Sequence, residues 1–219
     1  CESKSGVCAA CYGRNLWLDS WPCDDQGNAV DGQQDMRTGV DLATRKGEHN
    51  DMTAFATVTG HGARRKLHNL QAERLNSTEI LRRMIAIYRA FHKPINAAGG
   101  NAKFIVEDNT AQVYIVDSLR QAGTMQALGL TADEAADIRV SGRTTTWKRR
   151  DMELGIPALA SAIEMGRWSF PINPECDALR EDMRTWSPEC EHYGDRLMAL
   201  WHATATLPSD DEHARVVMI

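Results

Sequence analysis

The segment Ala-Lys-Phe-Ile-Val-Glu-Asp-Asn, residues 102–109, decides the fold. Its uninterrupted Phe-Ile-Val is typical of a strand covered on both faces, because a half-exposed strand would alternate apolar with polar residues. We therefore predict a central strand over Ala102–Glu107. A strand covered on both faces implies helices on both sides of its sheet.

The segments around this strand predict a mixed sheet. Residues 36–43, 52–59 and 64–75 favour three antiparallel strands, since the second alternates and a turn joins it to the third. A helix capped by Ser77 runs towards Pro94, and further elements are a helix at about 110–121, a strand at 137–141, a helix at 152–165, a strand at 168–172 and helices at 174–186 and 194–206. The predicted class is α/β: an antiparallel meander of three strands plus parallel strands, flanked by helices.

Composition limits the classes of function. The chain has 219 residues, of which 42% are hydrophobic and 25% charged, as in a globular domain with a sizeable core. The formal net charge of −5 argues against a generally basic protein that coats DNA, but local basic patches can still bind phosphate. No apolar run approaches the ~20 residues of a membrane helix, so we predict no membrane partner. A secretory signal is missing and the first residue is Cys1, so we expect a piece of a longer polypeptide.

The cysteines crowd one end of the chain. Four of the six lie in the first 23 residues: Cys1, Cys8, Cys11 and Cys23. They contain one Cys-x-x-Cys pair, whereas a zinc ribbon usually has two, so we prefer reduced thiols and keep a zinc site as the alternative. Turn-forming residues mark 1–35 as an interdomain linker or Cys-rich arm. Residues 36–207 form the predicted folded domain, and 208–219 a flexible tail.

Three acidic residues, Asp41, Glu107 and Asp195, stand at the edges of apolar segments. Burying an ionised carboxylate is costly unless a metal or an opposite charge compensates it. Mg²⁺ and Mn²⁺ prefer hard oxygen ligands, and two such ions ~4 Å apart can activate water and stabilise the leaving oxygen of a phosphodiester. We therefore predict one metal site assembled by folding, of the kind that nucleases use.

Asp41 and Glu107 each have an alternative interpretation. Asp41 could be an edge-strand residue that faces solvent. Asp108 competes with Glu107 as a ligand, or caps the helix that begins near Thr110. Glu107 is preferred because alternation through Ile105 places it on the inward face of the strand.

The third acid, Asp195, and three other polar residues each have two possible roles. Asp195 could be a helix N-cap or a first-turn acid. Asp51 is either a fourth ligand or a loop-end residue bonded to Thr53. His192 either touches the substrate phosphate or lies on the surface, and Asn109 either orients Glu107 or caps a helix.

Basic residues form two runs that favour phosphate contacts. The first run is Arg64, Arg65 and Lys66, and the second is Arg143, Lys148, Arg149 and Arg150. Charge runs are often solvated faces, so each run is either a DNA-binding surface or a solvent-exposed one.

The order of elements resembles the ribonuclease H-like fold, in which acids from the first strand, the fourth strand and a late helix meet. Within that fold, four motifs, the first of them made of two segments, are similar to the nuclease domain of tailed-phage large terminases. They are Gly39-Val-Asp-Leu-Ala43 with Asp51-Met-Thr-Ala-Phe-Ala-Thr-Val58, Phe104-Ile-Val-Glu-Asp-Asn109, Gly155 to Pro171, and His192-Tyr-Gly-Asp-Arg-Leu-Met-Ala-Leu-Trp-His202. Together they cover about residues 36–206.

The resemblance implies a metal-dependent endonuclease that cuts double-stranded DNA concatemers during genome packaging. Asp41, Glu107 and Asp195 would hold Mg²⁺ or Mn²⁺. It also implies an upstream ATPase domain, and the Gly-x-x-x-x-Gly-Lys-Ser/Thr loop of such a domain does not occur in these residues. The implied partners are a portal and a small terminase subunit, and the implied location is the host cytoplasm. The alternatives are a junction resolvase or transposase-type nuclease with the same fold, and a non-catalytic DNA-binding packaging module.

Overall fold

Strand β1, Asp35–Asp41, lies at the centre of the fold, and its residues from Met36 to Val40 are buried. It has a neighbour on each side: β2, Thr53–His61, runs antiparallel to it, and β4, Asn101–Glu107, runs parallel. This computed structural model describes residues 35–42, 52–61, 64–107, 110–143, 148–187 and 194–207. All of them fall within one unit, Gln34–Ile219.

The sheet confirms the predicted fold class. Within the described residues it has six strands in the order β5-β4-β1-β2-β3-β6. The remaining strands are β3, Arg64–Glu73, β5, Val140–Arg143, and β6, Trp168–Ser169. Strands β1, β2 and β3 form the antiparallel meander, while β4 is parallel to β1, β5 to β4 and β6 to β3.

Helices cover both faces of the sheet. Those in the described residues are α1, Ser77–Ile87, α2, Lys93–Ala97, α3, Thr110–Arg120, α4, Ala122–Ala127, α5, Ala132–Asp137, α6, Lys148–Glu164, α7, Pro174–Thr185, and α8, Asp195–Thr204. On one face, Val40, Phe104 and Val106 pack with α1 and α3. On the other face, Ala54 and Ala56 of β2 pack in a core that α6, α7 and α8 complete. The apolar run in β4 is uninterrupted because both of its faces are covered.

The helical region after β3 differs from the prediction in two ways. A π-helical turn, Tyr88–His92, separates α1 from α2. The N-cap of α1 is Asn76, so the prediction of Ser77 is wrong. The Asn76 side chain accepts a hydrogen bond from Glu79 N, and the Glu79 carboxylate accepts one from Asn76 N. This reciprocal pair satisfies two backbone donors, which a serine one residue later cannot do.

The other differences concern short elements. Helices α4 and α5 were not predicted, and the strand expected at 137–141 begins only at Val140. Each of these helices has six residues, too few to show an apolar repeat. The predicted arm and tail lie outside the described residues. None of the described helices is long and apolar enough to cross a membrane.

Candidate active site

Asp41 and Glu107 end neighbouring parallel strands. Val40 and Val106 are the last registered pair of β1 and β4, so the backbone positions of Asp41 and Glu107 follow side by side. The Asp41 side chain is half-buried, and that of Glu107 lies outside the described part of the structure. The carboxyl ends of parallel strands are where α/β sheets commonly place their ligand sites. We call this end of β1, β4 and β5 the acidic edge.

A glycine brings α8 against the sheet beside the acidic edge. A Cβ on Gly39 would lie 1.9 Å from the carbonyl oxygen of Ala199 and 2.6 Å from the amide nitrogen of Ala203. The backbone of α8 therefore packs directly on β1, at a distance that only glycine permits. Because side chains alternate along a strand, Asp41 lies on the same face as Gly39, the face that α8 covers.

Asp195 is the first residue of α8 and lies one turn before Ala199. Its Oδ2 accepts a hydrogen bond from the amide of Met52, 3.0 Å away. Met52 directly precedes β2, in which Ala54 pairs with Asp41. The Asp195 carboxylate is thus held near the acidic edge by a segment far away in the sequence.

The N-terminus of α8 excludes one alternative role for Asp195. The N-cap is Gly194, with φ 76°, and it forms no side-chain cap hydrogen bond. The N-cap interpretation of Asp195 is therefore wrong. As a first-turn acid, Asp195 is favoured by the partial positive charge of the helix N-terminus. That position leaves a ligand role open, because the same field stabilises an ionised carboxylate.

A further carboxylate, Asp182 of α7, adjoins the start of α8. A Cβ on Gly194 would lie 2.9 Å from Asp182 Cγ. Burial raises the pKa of Asp182, and the charges of Asp195 and Glu175 act in the same direction, while Arg196 opposes them. The sequence does not mark Asp182, because acids are frequent along a half-exposed helix and the contact with Gly194 is tertiary.

Arg143 lies at the acidic edge next to Glu107, on the neighbouring strand β5. It is the last residue of β5 and pairs in register with Glu107. Its Cζ lies 3.8 Å from the ring centroid of Trp201 in α8, so the guanidinium lies on the face of the sheet that α8 covers. The structure thus brings one of the predicted DNA-binding residues to the acids.

The first basic run, Arg64–Lys66, lies elsewhere. It starts β3, and Arg65 pairs with Gly60, which also pairs with Asp35 at the beginning of β1. The seven residues of β1 span about 20 Å. The run is therefore at the edge of the sheet opposite to Asp41, and the structure does not bring it to the acids.

Other predicted site residues are not described by the structure, or are described by their backbone alone. Asp51, Asp108, Asn109, His192 and the four N-terminal cysteines, Cys1, Cys8, Cys11 and Cys23, lie outside the described residues. The second basic run continues into the first three residues of α6, Lys148, Arg149 and Arg150, of which the structure describes the backbone.

The donor set suits a hard divalent cation. Asp41 and Asp195 offer carboxylate oxygens on one face of the sheet, and the position of Glu107 adds a third acid beside Asp41. Oxygen donors of this kind are what Mg²⁺ and Mn²⁺ prefer. Among the side chains that the structure describes, no three His, Cys, Asp or Glu groups stand together as a metal cluster. The fit rests on two described carboxylates and on the register position of Glu107.

Comparison with solved structures identifies proteins of the same fold. The Mn-soaked terminase nuclease domain of human cytomegalovirus matches with a TM-score of 0.55 at 16% identity, over 82% of this chain and 85% of that one. The large terminase nuclease domain of Thermus phage P74-26 matches with a TM-score of 0.53 at 14% identity, over 81% and 82%. The large terminase of a thermophilic bacteriophage matches with a TM-score of 0.50 at 12% identity, over 77% of this chain and 38% of that one.

No protein-family model matches the sequence of this chain, and no curated protein matches it either. The assignment therefore stands on the sheet order and on the structural matches. The chain has the fold of the terminase nuclease domains that it matches.

Proposed function

We propose that this chain is a metal-dependent endonuclease for double-stranded DNA, the nuclease part of a large terminase that cuts concatemers during phage genome packaging. One observation carries the proposal. Asp41 and Glu107 follow side by side at the acidic edge, and Asp195 begins the helix that packs on the same face. The fold of the terminase nuclease domains supports it, and the Mn-soaked cytomegalovirus domain supports the choice of a divalent ion.

In this proposal Asp41, Glu107 and Asp195 would hold Mg²⁺ or Mn²⁺, with Asp51 and Asp108 as further candidate ligands. When bound, two such ions supply water activation and charge neutralisation at the scissile phosphate. No side chain acts as the nucleophile.

The protein's own contribution is to hold the carboxylates in place before DNA binds. The contact of Gly39 with Ala199 fixes α8 on β1, and the amide of Met52 fixes one oxygen of Asp195. Carboxylates fixed in this way need little rearrangement during the reaction, which is how a preorganised site lowers a barrier.

Basic residues would bind the DNA backbone. Arg143 lies at the acidic edge, and Lys148, Arg149 and Arg150 begin α6 five residues later. The run Arg64–Lys66 would bind phosphates farther from the scissile bond, since it lies at the opposite edge. Contacts of this kind position the duplex without reading its sequence.

The proposal extends to the assembly. An ATPase domain would precede this chain in the intact protein, and the match covers only 38% of the phage large terminase, which is therefore longer than a nuclease domain of this size. The portal and the small terminase subunit would be its partners, and the host cytoplasm its location.

A cleavage assay tests the function. We expect the chain to cut plasmid and linear duplex DNA with Mn²⁺ or Mg²⁺, and not in EDTA. Asp41→Asn should abolish cutting while circular dichroism and the melting temperature stay close to those of the unaltered chain. Preferential cutting of a four-way junction would reassign the chain as a resolvase. Binding of DNA without cutting in any metal would make it a packaging module without catalysis.

A further inference from the structure

Trp201 has no part in the proposed chemistry, yet it supports a residue at the acidic edge. Its side chain is only 4% exposed, within α8. The guanidinium of the half-buried Arg143 lies over its ring, with 3.8 Å between Cζ and the ring centroid. A cation on an indole face is attracted by the ring quadrupole, and more strongly where water is excluded.

A glycine fixes the position of the indole. A Cβ on Gly155 in α6 would lie 2.3 Å from Nε1 of Trp201 and 3.2 Å from its Cδ1. Backbone of α6 therefore touches the edge of the ring at a distance that only glycine permits. Because α6 fixes one edge of the Trp201 ring, the position of the Arg143 guanidinium on the face of that ring is also defined.

The position of Arg143 in the sheet gives this contact a consequence. Its backbone pairs with that of Glu107, and Glu107 follows beside Asp41 in the register. A guanidinium offers a planar fork of donors that matches two phosphate oxygens, and stacking on an aromatic ring leaves that plane intact. The acidic edge therefore carries a cation in a defined place: its Nη1 atom is buried, and a DNA phosphate would meet the other donors of the guanidinium.

We propose that Trp201 is a positioning residue that holds the Arg143 guanidinium at the acidic edge, where Arg143 binds the DNA phosphate next to the scissile one. This inference rests on the proposed nuclease function and deepens it. It separates Arg143 from the run Arg64–Lys66, which lies at the opposite edge of the sheet. A phosphate held beside the reacting one aligns the scissile bond, so the effect is expected on turnover as well as on affinity.

The variants separate the effect of the Arg143 charge, the effect of the Trp201 ring and any general effect on the fold. Trp201→Phe keeps an aromatic ring but weakens the attraction for a cation, Arg143→Lys keeps the charge but loses the planar fork, and Arg143→Ala removes both. The double variant Trp201→Phe with Arg143→Ala completes a cycle. Controls away from the acidic edge are Trp168→Phe in β6, whose ring stacks on Phe170, and Arg139→Lys on the exposed surface before β5.

Two readouts are measured on the full chain. In EDTA, the affinity for duplex DNA is followed against salt concentration, and Arg143→Ala should lower the slope by about one. In Mn²⁺, Arg143→Ala should lower kcat by about 100-fold, and Trp201→Phe by about two- to fivefold, because phenylalanine keeps part of the attraction. In the Arg143→Ala background, Trp201→Phe should have no further effect on either quantity. The two control variants should match the unaltered chain.

Equal effects of Trp201→Phe with and without Arg143 would show that the ring is merely structural, and would overturn the proposal. An unchanged salt slope and kcat in Arg143→Ala would overturn it too. Failure of the unaltered chain to cut DNA would refute the nuclease function, while the salt slope of Arg143→Ala in EDTA would still show whether Arg143 contacts a phosphate. Should Trp201→Phe prove too unstable to assay, Arg143→Lys supplies the test: it keeps the charge but loses the planar fork that lies on the ring, so kcat should fall, and an unchanged kcat would overturn the proposal.

Discussion

Gly39 of β1 and Ala199 of α8 meet backbone to backbone, so closely that a Cβ on Gly39 would lie 1.9 Å from the Ala199 carbonyl oxygen. The contact joins the strand that ends at Asp41 to the helix that begins at Asp195. Two acids from distant parts of the chain are therefore placed relative to each other by a residue without a side chain.

Replacing Gly39 with Ala should destabilise the fold by about 1–3 kcal/mol, because α8 must move away from β1 to admit the methyl group. Cleavage should fall as well, since Asp195 moves with α8. Urea unfolding and the cutting rate measure the two effects. Gly123→Ala in α4 is the matched control: its Cβ would meet nothing within 4 Å, and it should be neutral or stabilising by up to about 1 kcal/mol. A Gly39→Ala chain as stable and active as the original would contradict the close contact.

Asp195 is expected to have two separable roles. Asp195→Asn keeps an acceptor for the amide of Met52 but removes the charge, so the fold should remain and metal-dependent cutting should disappear. Asp195→Ala loses the hydrogen bond too and should cost about a further 1 kcal/mol of unfolding free energy. Thermal or urea unfolding of the two variants, compared with their activity, separates the roles. Full activity in the asparagine variant would exclude Asp195 as a ligand.

The buried His92 should make the fold sensitive to acid. Its Nε2 lies 2.8 Å from Thr38 Oγ1, and burial, aided by the charge of Arg37, lowers its pKa from 6.5 to about 3. The unfolded chain takes up a proton at His92 below pH 6.5 whereas the folded chain does not, so stability is lost as the pH falls from 6.5 towards 3. This amounts to about 2 kcal/mol between pH 7 and pH 5.

Urea unfolding of the unaltered chain and of His92→Gln at pH 7 and pH 5 tests this expectation. The variant is expected to be less stable at pH 7 but to lose about 2 kcal/mol less on acidification. His68, whose pKa burial lowers to about 4, titrates in the same direction and remains in both proteins, so it cancels in the comparison. Identical pH dependence in the two proteins would show that His92 keeps an ordinary pKa in the folded state and would contradict this expectation.

The far basic run should affect binding and not turnover. Arg64 lies at the edge of the sheet opposite to the acids, so Arg64→Ala removes a phosphate contact distant from the scissile bond. DNA affinity should decrease with a salt slope smaller by about one, and kcat at saturating DNA should stay the same. Titrations at several salt concentrations, with cleavage measured in parallel, check this. A large loss of kcat would place the scissile phosphate near β3.

The fold was predictable because its main elements are long and periodic. The apolar run before Glu107 indicated a buried parallel strand, and the alternation of residues 52–59 indicated a strand of the meander. The edge position of Asp41 follows from the same pattern. Even the contact at Gly39 left a signal, since a glycine inside a strand often marks a close backbone approach.

The remaining features depend on tertiary contacts. Arg143 and Trp201 meet only because β5 is parallel to β4 and α8 crosses the same face. Nothing in the spacing of Asp182 from Gly194 indicates that they touch. The basic run at Arg64 looked equivalent to that at Arg143, and only the strand register separates the two.

The central claim is that Asp41, Glu107 and Asp195 form one metal site, and a crystal of this chain soaked in Mn²⁺ tests it most directly. We predict anomalous density bonded to carboxylate oxygens of all three residues, and its loss in crystals of Asp41→Asn. Manganese bound elsewhere, or none at the acidic edge of well-ordered crystals, would contradict the account.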